Sequence, residues 1–458
     1  MREIKNQTIV MTEGPVFSEL MRFFIPITLG SLIMQLYHMV DAVVLGKLVG
    51  KAALAAVGGS SVALINLVMG FFGGLSSGMA VVVSQHYGAG EDKEVGQAVH
   101  TAMLFSAFLG AAISAGGILL ARPLLRALDT PEDIMQYSTE YLQWYFVGMM
   151  PLMIYNMGFV ILRGIGESRR PLVFLLTCAM LNTVLDLLFV GVFKMEVAGA
   201  AIATSLSQVI CMFLMLRTLS RLDNACRFEM KKLCFEPRLL RRMLLIGVPS
   251  GLQSVLYSAA NLVLQRAINL LGTDSVAAWA IVTKIDGYYW TVDNSIGIAV
   301  MTFVGQNYGA KKKDRIRRCV RQGLWFHLAF SAAFGLGIYL AKGVVAQIFS
   351  SDPVVIEQAG TIFLYLAAGY PTFVFTEIYS SAMRGCGNAI KPTLLTLFGV
   401  CILRLAILFV YTFPHLSNFS IAICYPVTWV VSSILFILYY RFGKWMPEYQ
   451  GAAHRPAQ

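Results

Sequence analysis

SQHYGAGEDKEVGQAV begins at Ser84, and GQNYGAKKKDRIRRCV begins at Gly305. Gln85, Tyr87, Gly88 and Ala89 match Gln306, Tyr308, Gly309 and Ala310, each 221 residues further on. A second pair keeps that offset: RGIGESRRP from Arg163 and RGCGNAIKP from Arg384 share their arginine, both glycines and the closing Pro171 and Pro392. LVGKAALAAV from Leu48 and LLGTDSVAAW from Leu270 follow a similar register, shifted by one residue. Two separated motifs at one offset mean that the chain is written twice.

Each copy sits in apolar sequence. Of 458 residues, 57% are hydrophobic and 13% charged, with a mean hydropathy of +0.67. Soluble domains carry roughly 25% charged residues, so this composition excludes a soluble protein. Apolar runs long enough to cross a bilayer, roughly 20 residues each, place twelve spans near 17–45, 53–82, 94–120, 133–162, 170–193, 197–220, 239–270, 275–305, 319–341, 354–383, 390–411 and 418–440. Six spans per copy return the second half to the orientation of the first. The expected fold is therefore an all-α membrane protein of twelve transmembrane helices in two parallel six-helix bundles. A pseudo-two-fold axis along the membrane normal should relate them. The expected domains are an N-terminal bundle over 1–218, a basic linker over 219–241 and a C-terminal bundle over 242–458. No cleavable signal peptide is expected, because Phe17 to Val44 is too long for an h-region.

Basic residues orient the bundle. Arg2, Lys5, Arg22, Lys93, the Arg163–Arg170 turn, the linker, Lys311–Arg321, Lys391 and the C-terminal tail share one side. The other side holds only Lys47, Lys51, Arg122, Arg126, Lys194 and Lys342. The rich side is expected to be cytoplasmic, with both termini inside. The net charge of +11 is mostly this bias. KKKDRIRR at Lys311–Arg318 is a short loop between spans, so no nucleic-acid partner is expected. None of the eight cysteines falls in an outer loop, which predicts no disulfide. Cys226 and Cys234 match no zinc spacing. In each RGxG the glycines predict a left-handed turn closing one helix and the proline opens the next. The arginine is expected to anchor at headgroups.

Ionisable residues inside spans cost roughly 2.5–3.5 kcal/mol on insertion scales, so each needs a reason. The first half carries Asp41 and Asp186. Asn182 lies one turn before Asp186 in CAMLNTVLDLLFVGVF (Cys178–Phe193), and Tyr37 lies one turn before Asp41. Thr204 opens TSLSQ in the sixth span. If these faces converge, they offer hard oxygen ligands suited to a proton or Na⁺. The alternative is a network of polar contacts gluing helices together. The second half departs from this pattern, with Leu403 and Ile407 at the offset positions. It carries instead Asp286 and Asp293 on one face of the eighth span, with Glu377 in the tenth, Arg404 in the eleventh and Lys284 beside Asp286. These acids form either buried ion pairs or a cation-attracting wall for substrate. Tyr288, Tyr289 and Trp290 suit a flat organic cation or an interfacial belt. Pro26, roughly aligned with Pro249, permits a bend useful for gating.

Taken together, MTEGP at Met11, the Asp41 helix, SQHYGAG, RGIGESRRP, NTVLD at Asn182 and GQNYGAK resemble the multidrug and toxic compound extrusion (MATE) transporters over nearly the whole chain. The DinF-like bacterial branch is the better match, because SGLQSVLYSAANLVL from Ser250 lacks the acid of other members. The resemblance implies multidrug efflux by a secondary active antiporter, exporting cationic or amphipathic organic compounds against inward Na⁺ or H⁺. It implies no cofactor beyond that ion and a multi-pass place in the bacterial inner (cytoplasmic) membrane, and a monomer is expected. It implies a cation site at Asp41, Asn182, Asp186 and Thr204, with Tyr141, and drug contacts at Gln35, Tyr37 and Asn156. The alternative is a flippase or exporter of lipid-linked or other amphiphilic metabolites, whose cavity would carry cationic residues for a pyrophosphate. No HExxH, GxSxG or Cys–His pattern points to an enzyme.

Overall fold

The computed structural model of the chain describes residues 11–48 and 59–449, with side chains described except at 36–48, 60 and 196. Every regular element among the described residues is helical. The first half contributes α1 (Val16–Leu48), α2 (Ser60–Ala89), α3 (Asp92–Ala127), α4 (Glu132–Val147 and Met149–Gly164, bent by 49°), α5 (Arg169–Val192) and α6 (Glu196–Ser220). The second contributes α7 (Pro237–Asn269), α8 (Thr273–Gly309), α9 (Lys313–Phe349), α10 (Pro353–Gly385), α11 (Ile390–Thr412) and α12 (Asn418–Phe442). These are twelve transmembrane helices in two bundles. Eleven, counting the bent α4 as one, pass as spans on length and apolarity. The twelfth, α8, is 37 residues long and is diluted by Lys284, Asp286 and Asp293, yet much of it is buried.

The offset of 221 holds beyond the motifs. Val16–Leu48 and Pro237–Asn269 begin and end 221 residues apart, as do the outer limits of α4 and those of α10. Several helices outrun the apolar windows at the end that carries the basic loops. Thus α2 continues past residue 82 to Ala89, and α9 starts at Lys313 rather than 319. Hydropathy sees only the lipid-facing length, whereas the backbone stays helical until a residue that can turn left-handed. Gly90 (φ 72°) caps α2, and Lys311, its counterpart at the offset, adopts φ 58°. Asp92 and Asp314 then open α3 and α9, where an acid favours the helix N-terminus.

The RGxG turns form as expected. Gly166 and Gly387 have φ of 87° and 84°, and their neighbours Glu167 and Asn388 close back to the carbonyls of Leu162 and Met383. The arginines differ from the expectation. Arg384 donates to Gln253 on α7 at 2.9 Å, and Arg163 lies 4.2 Å from the Phe159 ring centroid. The turn aims both into the protein, so contacts inside the fold replace headgroup anchoring.

Within the first bundle α4 packs on α3 and α6, and α5 on α6; within the second, α8, α9, α10 and α12 pack together. The bundles meet where α2 lies against α7 and α8, and where α1 lies against α8 and α9. The linker 221–236 is pinned to α3: the Glu229 and Glu236 amides donate to His100 Nε2 and Thr101 Oγ1, and Cys226 is buried.

The expectation of no disulfide is overturned. Cys178 on α5 and Cys211 on α6 are bonded, with Cα atoms 6.1 Å apart. The expectation considered only loops, but two packed helices bring cysteine Cα atoms within bonding reach inside the bundle.

Candidate functional site

In the first bundle α5 opens on Arg169 and Arg170, runs apolar from Leu172 to Leu176, and carries its buried polar pair further along. Asn182 is 4% and Asp186 2% exposed, one helical turn apart. Asn182 Nδ2 reaches Thr204 Oγ1 on α6 at 3.5 Å, and that hydroxyl donates to Ala200 O at 3.0 Å. Directly after Asp186 the helix loosens into a π turn over Leu187–Val192, repeated at the offset by Leu408–Thr412. Such turns in helices are frequent at functional sites. Helix α1 packs against α5 and its π turn, and a Cβ on Gly30 would lie 3.2 Å from Leu172 and Leu175. So α5 lies between α1 and α6, the helices that carry Asp41 and Thr204. Asp41 and Tyr37 stand on α1, but their side chains lie outside the described residues.

The other first-half candidates scatter. Tyr141 is buried on the first arm of α4, its ring 6.1 Å from Tyr145. That arm meets α6 through Ser205, which donates to Trp144 O at 2.6 Å. Asn156 donates to Leu152 O of its own helix at 3.0 Å. Gln35 crosses to the other bundle, donating to Gly287 O at 3.0 Å and Thr291 Oγ1 at 2.6 Å on α8. Helix α1 runs unbroken through Pro26.

The second bundle holds a polar column along one face of α8. Asp286 accepts from Trp290 Nε1 at 2.6 Å and from Tyr370 OH on α10 at 2.7 Å. Two turns on, Asp293 Oδ1 lies 3.2 Å from His327 Nε2 on α9, both enclosed. One turn further, Gly297 leaves room for Glu377 of α10, whose Oε1 would lie 1.8 Å from a Cβ there. Glu377 also accepts from Ser381 at 2.9 Å. Among the described residues no lysine or arginine forms an ion pair with Asp286, Asp293 or Glu377. Lys284 turns to the Phe349 ring, and Arg404, fully enclosed, donates to Asn261 and lies against Tyr257 and Tyr425. The Lys/Arg ion-pair alternative is thereby replaced by neutral donors and one histidine.

Tyr289 and Trp290 are interior rather than a belt. Tyr289 stacks on Tyr370 at 4.2 Å, and Trp290 meets Phe373 at 5.0 Å and Trp429 at 5.7 Å. Sequence reasoning missed His327 and Tyr370. His327 carried a usable signal, because a titratable ring inside an apolar span needs a reason as much as a carboxylate does. Tyr370 carried none, since tyrosine is ordinary in such helices. Among the described residues no group of three or more His, Cys, Asp or Glu side chains could hold a metal.

The family model described as MatE matches the chain twice, over residues 26–188 and 249–410. The probable multidrug resistance protein YoeA of Bacillus subtilis (strain 168) is 26% identical over 435 residues, covering 93% of this chain and 94% of that protein. The FAD transporter of Shewanella oneidensis is 24% identical over 403 residues, covering 86% of this chain and 88% of that one. Among solved structures, one described as an outward-facing conformation of a multidrug resistance MATE family transporter of the MOP superfamily superposes with a TM-score of 0.88. Its identity is 22%, over 96% of this chain and 98% of that chain, a likeness of fold.

Proposed function

Because this chain belongs to the MatE family of membrane transporters, we propose that it is a secondary active antiporter exporting cationic or amphipathic organic compounds against inward H⁺ or Na⁺. It is a transporter and not an enzyme. The lobes 1–218 and 242–458 rock against each other about the linker 219–241 as a monomer in the bacterial inner membrane. The basic side is cytoplasmic and both termini are inside.

The observation that carries the reading is the burial of Asn182 and Asp186, with Thr204 beside Asn182, within the membrane-spanning part of α5. A carboxylate there is expensive to keep charged without a cation. Asp41, one face of the adjoining α1, is assigned to the same coupling centre, with Tyr141 at its edge. Substrate contacts are assigned to Gln35, Tyr37 and Asn156 and to the wall of Asp286, Asp293 and Glu377, and Pro26 to gating. The aromatic surface of Tyr289, Trp290 and Tyr370 gives that wall a face for organic cations.

The test is dye efflux from membrane vesicles under an imposed Na⁺ gradient or an imposed pH gradient, applied separately. One of the two should drive export of ethidium-like cations; export driven by neither overturns the antiport.

A second reading, export of an anionic amphiphile, is favoured by one feature. The enclosed Arg404 guanidinium spends only one nitrogen on Asn261, leaving Nε and a second terminal nitrogen without a hydrogen-bond partner. Faster clearance of anionic than of cationic dyes, lost in Arg404→Gln, would favour that reading.

A further inference from the structure

The repeated motifs meet each other. Gln85 at the end of α2 donates through Nε2 to the carbonyl of Gly385, in the RGxG turn of the other bundle, at 2.7 Å. Gln306 at the end of α8 donates through Nε2 to the carbonyl of Gly164, in the RGxG turn of the first bundle, at 2.9 Å. Gln85 and Gln306 are 221 residues apart, and so are Gly164 and Gly385. One bond is therefore made twice, in opposite directions across the pseudo-two-fold axis.

The backbones beneath these bonds touch. A Cβ on Gly88 would lie 2.0 Å from Gln306 O, and a Cβ on Gly309 would lie 1.9 Å from Gln85 O. Those two glycines are again equivalent at the offset. On the axis itself Ser84 faces its own counterpart, Gly305, where a Cβ would lie 2.2 Å from Ser84 Oγ. Gln85 and Gln306 are 0% and 1% exposed, so the seam is dry. The two halves differ in one respect. Arg242 of α7 donates to Gln85 Oε1 and so orients that amide; the residue at the offset from Arg242 is Met21, which has no such group.

We propose that these reciprocal bonds are a latch closing the lobes at the basic end of the bundle, and that both must break when that end opens during transport. The inference rests on the lobes parting as read above, but not on the substrate or the coupling ion. The physical reason lies in the chemistry of the seam. A glutamine amide and a turn carbonyl exchange their mutual bond for bonds to water when the seam parts, so each contributes only modestly to closure. An apolar seam would instead expose its area to water on every opening. The glycines let two backbones approach closely enough for short side chains to bridge them. The latch also explains why RGxG and the GQxYGA-like stretch recur together: each lobe supplies both halves of the clasp.

The test uses full-length protein in detergent with Ser84→Cys as reporter, because Ser84 is 1% exposed at the seam. Maleimide modification is followed over time and located by mass spectrometry. Cys226 in the linker on α3 and Cys319 on α9, both 0% exposed, are the internal controls. With both glutamines present the reporter should label slowly. Gln85→Leu and Gln306→Leu should each speed its labelling by roughly two- to tenfold, and the double variant should label faster than either, the two bonds being neighbours in one seam. Gly88→Ala and Gly309→Ala, which leave the amides intact but wedge the seam, should open it too. An unchanged rate in the double glutamine variant overturns the latch. So does labelling of Cys226 and Cys319 in step with the reporter, because the bonds would then hold the fold rather than a gate.

Discussion

His327 Nε2 on α9 lies 3.2 Å from Asp293 Oδ1 on α8, and the two enclosed side chains make the only contact between a basic side chain and a carboxyl, among the described residues, that lies inside the spans of the second bundle. The contact joins two helices at the middle of the polar column. His327→Gln keeps a polar side chain beside the Asp293 carboxyl and should express and melt as the parent does. His327→Leu leaves a buried carboxylate without its partner, and should destabilise the protein by roughly 1–3 kcal/mol. Thermal unfolding in detergent reads the difference. Equal melting of the two variants would mean that Asp293 does not depend on the ring.

Coupling is expected to be centred in the first bundle. Asp41→Asn and Asp186→Asn keep shape and polarity but no longer carry charge, and each should abolish gradient-driven efflux at normal expression. Asn182→Leu and Thr204→Val should weaken ion dependence more mildly, since neutral oxygens hold cations less strongly. Glu377→Gln should chiefly alter substrate preference. Parental transport by Asp186→Asn alongside a dead Glu377→Gln would move the coupling site to the second bundle.

Topology is tested at Cys234, which is half-buried in the linker. An impermeant maleimide should miss it on intact cells and reach it in opened membranes. Burial, with the Glu236 carboxylate nearby, holds this thiol above the ordinary cysteine range. Only the thiolate reacts, so the labelling rate should climb with pH and reach its midpoint above that of a free cysteine. Labelling of intact cells would invert the orientation, and a midpoint at or below free cysteine would remove the burial argument. Cys226 is fully buried and does not report on sidedness.

The α5–α6 bridge makes a countable prediction. Six of the eight cysteines are free and two are joined as Cys178–Cys211. Denatured, non-reduced protein should therefore give six reactive thiols, and reduction should raise this to eight. Eight thiols before reduction would show that the bridge does not form in the membrane where the protein is made.

Periodicity and hydropathy act over single helices, and whatever one helix carries was legible without the fold. The repeat at 221, the twelve helices, the turn at each RGxG and the shared face of Asn182 and Asp186 all belong to that class. Asp286 and Asp293 on one face of α8 belong there too. What each of these residues meets is a matter of neighbours hundreds of positions away. Sequence spacing could not say that Asp293 would find His327 rather than Lys284, or that Arg404 would turn to Asn261 and two tyrosines. Nor could it say that Cys178 and Cys211 would lie within bonding distance. The clearest case is the opening motif itself. Its repetition was plain in the sequence and showed that two similar bundles exist. Only packing about a common axis could bring Gln85 to Gly385 and Gln306 to Gly164, because a two-fold axis makes equivalent residues meet only where the chain is folded around it.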